Sequence, residues 1–312
     1  MTPFKKPVSD FLEDYTNKKT CSNYKTAITH YLSMYSKQTV KSRDSHTPDI
    51  LAKNYFREIN RGFRDYKHDI KEFALQIDKK YAPTTSALYV RCIIRWLEDN
   101  GFRLEHREKT RIYACLPPTH PADINIELKR KIFRTLYFIF PDDLQVLLLV
   151  LLASGMRIGE ALQLKRTDIK WNKEKTEIHI PANITKTKTA RTTYLTDEAA
   201  LILYEYLCSR SDTDERLFLI TYTRAQNQMR TASQKLGYSK QVNGKIRGLH
   251  WHMTRKWFIS RVSLTAGKDI AETLAGHEGY LSRSYRRYTK KQLIKKYKRA
   301  EKKLSILKEH EY

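Results

Sequence analysis

The chain has 312 residues, enough for about two domains, with 59 lysines and arginines against 34 aspartates and glutamates. The net charge of +25 favours a polyanionic partner, because cations that neutralise phosphates release condensed counterions. The four cysteines are far apart and form no Cys-x-x-Cys pair, so neither a zinc site nor a disulfide framework is expected. Residues 1–6 are not typical of a signal peptide, and the apolar run 146–153 is too short to span a bilayer.

The first hundred residues are predicted to form a compact, basic helical unit, 1–102. Residues 8–36 indicate two helices broken near 18–20, and residues 50–79 carry one long helical pattern. Pro83 is typical of a first helical turn, so a further helix is expected from there to Leu97.

The segment 103–123 is predicted to be a linker, because it is highly charged and then rich in proline. A second unit, 124–312, begins with helices through 153 that continue past Arg157. Alternation at 177–180 and β-prone residues at 192–195 predict a hairpin with a basic tip. Helices are expected again at 197–208, 223–236, 252–265 and 268–275. The fold class is therefore expected to be mainly α, with a small β-hairpin or sheet.

A last helix, 290–308, carries an apolar stripe with spacings of four, three, four and three. The stripe consists of Leu293, Tyr297, Ala300, Leu304 and Leu307. Such a helix packs either on its own domain or into a neighbouring protomer, and the spacing leaves both alternatives open.

Arg157 follows Ser154-Gly155 at the end of an apolar helix, where its planar fork can bind two phosphate oxygens. The alternative is an ion pair with Glu160 at a helix end. Lys186 and Lys188 lie on the predicted hairpin tip, where a lysine can reach a groove and protonate a departing alkoxide. The alternative for either is a solvated basic turn.

His252 and Arg255 share one helical face at i and i+3, and together they can hold two oxygens of one phosphate. His250 is a nearby competitor, and a polar helix surface is the alternative. His277 follows Gly276 at an expected helix end, where it could equally be a capping group. Tyr285 lies in a cationic run, and cations favour the nucleophilic phenolate. Its rivals are Tyr280 and Tyr288.

These fragments, read in order, resemble the tyrosine recombinase (phage integrase) family. The segments 153–162, 185–191, 252–258 and 274–277 are similar to its first arginine box, lysine hairpin, His-x-x-Arg box and Leu-Gly-His box. The resemblance implies catalytic roles for six residues: Arg157, Lys186, His252, Arg255, His277 and Tyr285. Lys186 is preferred to Lys188 because the family's lysine commonly precedes a basic residue by five, as Lys186 precedes Arg191.

The chain departs from the family pattern at three positions. Thr254 stands where leucine is usual, and Ala275 separates Leu274 from the Gly-His pair. The family's nucleophile usually follows the last histidine by nine residues, and that position here is Arg286. Tyr285 at eight resembles an archaeal or archaeal-virus branch, whereas Tyr288 at eleven stays an alternative.

The resemblance implies a DNA strand transferase that forms a 3′-phosphotyrosyl link without metal, ATP or another cofactor. The first unit then resembles the family's core-binding domain, and both units would close around double-stranded DNA. We expect a cytoplasmic, nucleoid-associated monomer that assembles as a tetramer on two DNA sites, with residues 290–308 exchanged between protomers. A type IB topoisomerase-like relaxing enzyme and a non-catalytic DNA-binding regulator are the alternative functions.

Overall fold

The computed structural model describes residues 6–35, 47–118, 126–242, 245–276 and 288–307. The chain forms two compact units, Met1–Ala122 and Asp123–Tyr312. Each has its own apolar core. The predicted fold class, mainly α with a small sheet, is confirmed.

Over its described residues, the first unit contains helices and connecting turns but no strand. Its helices are α1 (Val8–Glu13), α2 (Lys18–Tyr35), α3 (Thr47–Asn60), α4 (Tyr66–Lys80), α5 (Pro83–Asp99) and α6 (His106–Ala114). Helices α2 and α5 pack against each other, with α3 on α2 and α4 on α5. An aromatic core joins them, in which Trp96 is fully buried against the ring of Phe56.

Two predictions for this unit differ from the structure. The pattern at 50–79 predicted one long helix, but α3 ends at Asn60 and Gly62 adopts a left-handed φ of 76°. Asp65 then caps α4 by accepting the backbone N–H of Lys67 at 2.9 Å. The segment 103–123, predicted as a linker, contains α6, which contacts α4 and buries Ile112.

The second unit is built around α8, whose apolar side chains are buried on every face. Its helices are α7 (Arg130–Ile139), α8 (Asp142–Ser154), α9 (Ile158–Ala161), α10 (Asp197–Ser209), α11 (Tyr222–Lys235), α12 (His252–Ala266), α13 (Lys268–Ala275) and α14 (Lys290–Leu304). Helices α7, α10, α12 and α14 all contact α8, which explains why its sequence lacks an amphipathic period.

Two small antiparallel sheets complete the part of the unit that the structure describes. The first has the order β1 (Ile169–Lys170), β2 (Glu177–Ile180), β3 (Arg191–Tyr194), with Ile180 paired to Arg191. The second pairs β4 (Lys240–Val242) with β5 (Lys245–Arg247) and was not predicted. The sequence carries a signal for it, since Asn-Gly between two short β-prone runs is typical of a hairpin.

Helix α14 packs on its own unit, against α12 and α8. The buried side chains are Ile294, Tyr297, Ala300 and Leu304, whereas Leu293 and Leu307 are half-buried. In the single chain, the predicted stripe therefore faces the core of the same domain, with Ile294 in place of Leu293. Over the described residues, no helix combines the length and apolar character needed to cross a membrane.

Candidate functional site

The site begins at the turn that ends α8. Gly155 has φ 65°, and its N–H donates to Leu151 O at 3.1 Å to close the helix. A Cβ at this position would lie 2.2 Å from Cδ1 of Phe258, so both the left-handed backbone and the close approach of α12 require glycine. The turn directs the chain into Arg157 and α9.

Three carbonyl groups at this turn are each bound by a side chain from a different element. Ala153 O accepts the hydroxyl of Tyr297 at 2.8 Å, and Ser154 O accepts that of Thr193 at 2.9 Å. Gly155 O accepts Nη1 of Arg255 at 2.9 Å. Helix ends leave such carbonyls without intrahelical partners, so these bonds fix the backbone that carries Arg157.

Arg157 is 27% exposed and pairs with Glu160 one turn later. Its backbone N–H donates to Oε2 of Glu160 at 2.9 Å, and its Nη1 donates to Oε1 at 2.9 Å. The ion pair considered from the sequence as an alternative is therefore present. It does not use the whole guanidinium, since Nη1 makes the only side-chain bond of Arg157 to any described residue.

Glu160 is also held by Arg191, the first residue of β3. Nη2 of Arg191 donates to Oε2 at 2.6 Å, and Nη1 lies 3.4 Å from Oε1. Burial alone would raise the pKa of Glu160, but the hydrogen bonds and charges of the two arginines outweigh it and lower that pKa below 4.5. Glu160 is thus an anion that two cations share. The sequence assigned it to Arg157 alone.

Arg255 is 2% exposed, although it is a cation. Its Nη1 donates to Gly155 O and to Ala275 O, which ties α12 to both turns of the site. Its Nη2 is buried and has no partner among the residues that the structure describes. Burial, followed by the charges of Arg157 and Arg191, lowers the pKa of Arg255 to about 10. A buried, unsatisfied N–H between cations is a position that favours an anionic ligand.

His252 lies one turn before Arg255 and keeps an exposed surface. Partial desolvation, then the charges of Arg255, His250, Lys256 and Arg157, lower its pKa below 6.5. His252 is therefore neutral at pH 7 and carries a single ring N–H. The competitor His250 is exposed and its Nδ1 lies 3.1 Å from Gly248 O, outside the helix.

Lys186 and Lys188 lie on the β2–β3 connection, as predicted, and both are exposed. Buried Thr185 closes this turn, since its hydroxyl lies 3.1 Å from Thr189 O and accepts the N–H of Thr189 at 3.0 Å. Lys188 adopts a left-handed φ of 51°. Lys186 makes no hydrogen bond or ion pair within the described ranges, so its ammonium is available to a ligand.

Helix α13 ends at Ala275 and is followed by Gly276, with φ 67°. A Cβ there would lie 2.7 Å from Cδ and Nε of Arg191, so the guanidinium packs against this backbone. His277 and Tyr285 follow but lie outside the described residues, as does the rival Tyr280. The other rival, Tyr288, is described and is 36% exposed.

A cluster of three side chains of the metal-ligating types lies in the first unit, outside the candidate site. The side chains of His68, Asp69 and Glu72 offer atoms within 4.8 Å of one another. The Asp69 carboxylate is buried and already accepts Tyr55 Oη at 2.9 Å and Arg64 Nη1 at 3.4 Å. Packing of the first unit accounts for these contacts, and we assign no metal or cofactor to the group.

Comparison with known proteins supplies the family. The sequence profile described as "Phage integrase family" matches residues 138–293, half of the chain, and this span includes all six candidate residues. No curated protein sequence matches the chain.

Three solved structures share the fold over most of their length. XerH site-specific recombinase bound to difH substrate is 18% identical, with a TM-score of 0.55 over 94% of this chain and 96% of that one. Tn1549 transposon integrase with circular intermediate DNA is 14% identical, at 0.54 over 88% and 97%. A lambda integrase dimer on a COC′ core site is 14% identical, at 0.51 over 85% and 97%.

Proposed function

The chain belongs to the phage integrase family, the tyrosine-type site-specific recombinases, and we propose that it cuts and rejoins DNA through the six residues named above. One observation carries the assignment of the site. Among the described residues, Arg255 holds a buried Nη2 without a partner. Its positive charge adds to those of Arg157 and Arg191, which share the carboxylate of Glu160. This excess of positive charge suits the phosphodiester of DNA.

In the proposed reaction, the phenolate oxygen of Tyr285 attacks the scissile phosphorus, and the bond from phosphorus to the 5′ oxygen breaks. Lys186 gives its proton to that oxygen, so a 5′-hydroxyl leaves and a 3′-phosphotyrosyl bond remains. Attack by a 5′-hydroxyl from a second strand reverses the step. The ester energy is kept in the covalent bond, which is why no ATP is required.

Charge on the non-bridging oxygens is stabilised by preorganised donors. Arg255 offers its buried Nη2, Arg157 offers the N–H groups that Glu160 leaves unused, and neutral His252 offers one ring N–H. We assign His277 to the same oxygens from its place after Gly276. The proposed cluster supplies the electrostatic stabilisation that a metal ion supplies in other phosphoryl-transfer enzymes.

Double-stranded DNA is the proposed partner of both units, because lysines and arginines are spread along the whole chain. We propose that residues 1–102 act as a core-binding domain. We also propose that a monomer in solution assembles as a tetramer on two DNA sites. Exchange of α14 between protomers would require it to leave its contacts with α8 and α12.

The test is an SDS-resistant protein–DNA adduct on nicked suicide duplexes, taken from the ends of the element that encodes the chain. The wild type is expected to form the adduct and Tyr285→Phe to lose it, while Tyr288→Phe retains it. Loss only in Tyr288→Phe would move the nucleophile. Tight binding without any adduct would contradict the enzyme and favour a regulator. Relaxation of supercoiled DNA without synapsis would favour the topoisomerase-like alternative.

A further inference from the structure

The two arginines that share Glu160 bind it unequally. Arg191 approaches both carboxylate oxygens, at 2.6 and 3.4 Å, in the two-point geometry that suits a guanidinium fork. Arg157 uses Nη1 alone from its side chain, at 2.9 Å, although its backbone N–H also donates to Glu160. The Arg191 guanidinium therefore faces both carboxylate oxygens, whereas the Arg157 guanidinium binds only one of them.

This division matters because Glu160 is 2% exposed and fully charged at neutral pH. A buried carboxylate that loses one of two cationic partners draws the other more strongly, since no water replaces the lost charge. Without Arg191, the strongest remaining partner of Glu160 is Arg157. Its guanidinium would turn onto the carboxylate to make the two-point pair and would become neutralised.

We propose that Arg191 is a positioning residue for the strand-transfer reaction: it occupies Glu160 so that Arg157 keeps its remaining N–H groups and its charge for the scissile phosphate. The inference rests on the proposed function, because it assigns Arg157 to that phosphate. Arg191 then acts beside the six candidate catalytic residues, and Glu160 is a brace that needs both arginines as partners.

The position of Arg191 supports this assignment independently of Glu160. Arg191 begins β3 and is paired with Ile180, so it stands at the base of the connection that carries Lys186. Its guanidinium also packs against Gly276, where no side chain would fit. Arg191 thus lies on the strand after the lysine turn, and its side chain contacts both Glu160 and the turn that precedes His277 in sequence. Lysine has no fork and would not hold both carboxylate oxygens.

The first test is a double-mutant cycle on adduct formation with full-length protein and a suicide duplex. Arg191→Gln is expected to slow adduct formation by about 10²-fold with DNA binding close to wild type. It should also lower the unfolding temperature, because buried Glu160 loses a cationic partner, so rates are compared at a temperature where both proteins stay folded. The rate of adduct formation by Arg191→Lys should lie between those of the wild type and Arg191→Gln. Arg191→Gln combined with Glu160→Gln is expected to be about 10-fold faster than Arg191→Gln alone, because Arg157 then has no carboxylate to neutralise it. Arg166→Gln, which removes a half-buried arginine paired to Asp212, is the matched control.

A second substrate separates this role from simple support of the fold. A methylphosphonate at the scissile position removes the negative charge that Arg157 is proposed to stabilise. The defect of Arg191→Gln relative to wild type should shrink on this substrate, whereas a general loss of structure would slow both substrates equally.

The outcomes distinguish this inference from the function on which it rests. A wild type that forms no adduct would overturn the proposed function and the inference with it. A wild type that forms the adduct, beside an Arg191→Gln variant of equal rate, would overturn the inference alone. A double variant no faster than Arg191→Gln, or an unchanged defect on methylphosphonate, would also overturn it.

Discussion

Tyr297 donates its hydroxyl to the carbonyl oxygen of Ala153 at 2.8 Å, across 144 residues of sequence. Burial raises the pKa of Tyr297 well above its usual value, so the hydroxyl stays protonated and is a donor at neutral pH. The acceptor lies two residues before Gly155, at the end of α8. The last described helix is therefore bonded to the turn that carries Arg157.

Tyr297→Phe should destabilise the second unit by about 1–2 kcal/mol, because the buried carbonyl of Ala153 loses its partner while the ring is kept. The measurement is urea unfolding followed by tryptophan fluorescence. Tyr222→Phe is the control, since Tyr222 is 55% exposed. Equal midpoints for both variants would contradict the importance of this bond.

Deletion of residues 290–312 should unfold the second unit rather than only block exchange between protomers. The deletion removes Ile294, Tyr297 and Leu304 from the core, and large apolar side chains contribute about 1.5–3 kcal/mol each when buried. Lys175, itself buried, would also lose Glu301, one of its two carboxylate partners. Circular dichroism and thermal unfolding test this. A truncated protein with the wild-type midpoint would mean that α14 is dispensable to the domain.

Gly155→Ala should abolish adduct formation and destabilise the second unit by several kcal/mol. The new Cβ would lie 2.2 Å from Cδ1 of Phe258, and a φ of 65° is a strained backbone conformation for alanine. Gly159→Ala, four residues after Gly155, is the control, because nothing lies within 4 Å of the position that its Cβ would take. Thermal unfolding and the adduct assay apply to both variants. Similar behaviour of the two would contradict the tight packing of α12 on this turn.

Stability should fall in acid partly through Glu160. Its folded-state pKa lies below the ordinary 4.5, so its contribution is present above that pH and is lost as the pH falls through the folded value. As the pH is lowered from 4.5, the free energy of unfolding of the wild type should therefore fall towards that of Glu160→Gln. Glu205→Gln, an exposed change on α10, serves as control. A constant difference between wild type and Glu160→Gln across this range would contradict the charged brace.

Much of the second unit could be predicted from sequence because its signals are local. The buried run before Ser154, the glycine that ends α8 and the pairing of Arg157 with Glu160 all lie within a few residues. The β2–β3 hairpin followed from alternation. In the first unit, Gly62 was also a local signal for a turn, but the helical period continues on both sides of it and predicted one uninterrupted helix.

The rest depends on contacts between distant segments, which a single sequence does not specify. The bond from Arg191 to Glu160 spans 31 residues, and the depth at which Arg255 is buried depends on the turns that end α8 and α13. Tyr297 was recognised as part of an apolar stripe, but its hydroxyl partner could not be identified. The assignments of His277 and Tyr285 stay predictions, because both residues lie outside the described ranges.

The central claim is that Tyr285 becomes covalently joined to DNA, and peptide mapping of the trapped adduct tests it most directly. Trypsin separates the three candidate tyrosines, since Tyr280 lies in 269–283, Tyr285 in 284–286 and Tyr288 in 288–290. After nuclease treatment, mass spectrometry should find the residual nucleotide on 284–286. Nucleotide on either of the other two peptides, or a wild-type protein that never retains nucleotide after denaturation, would contradict the account.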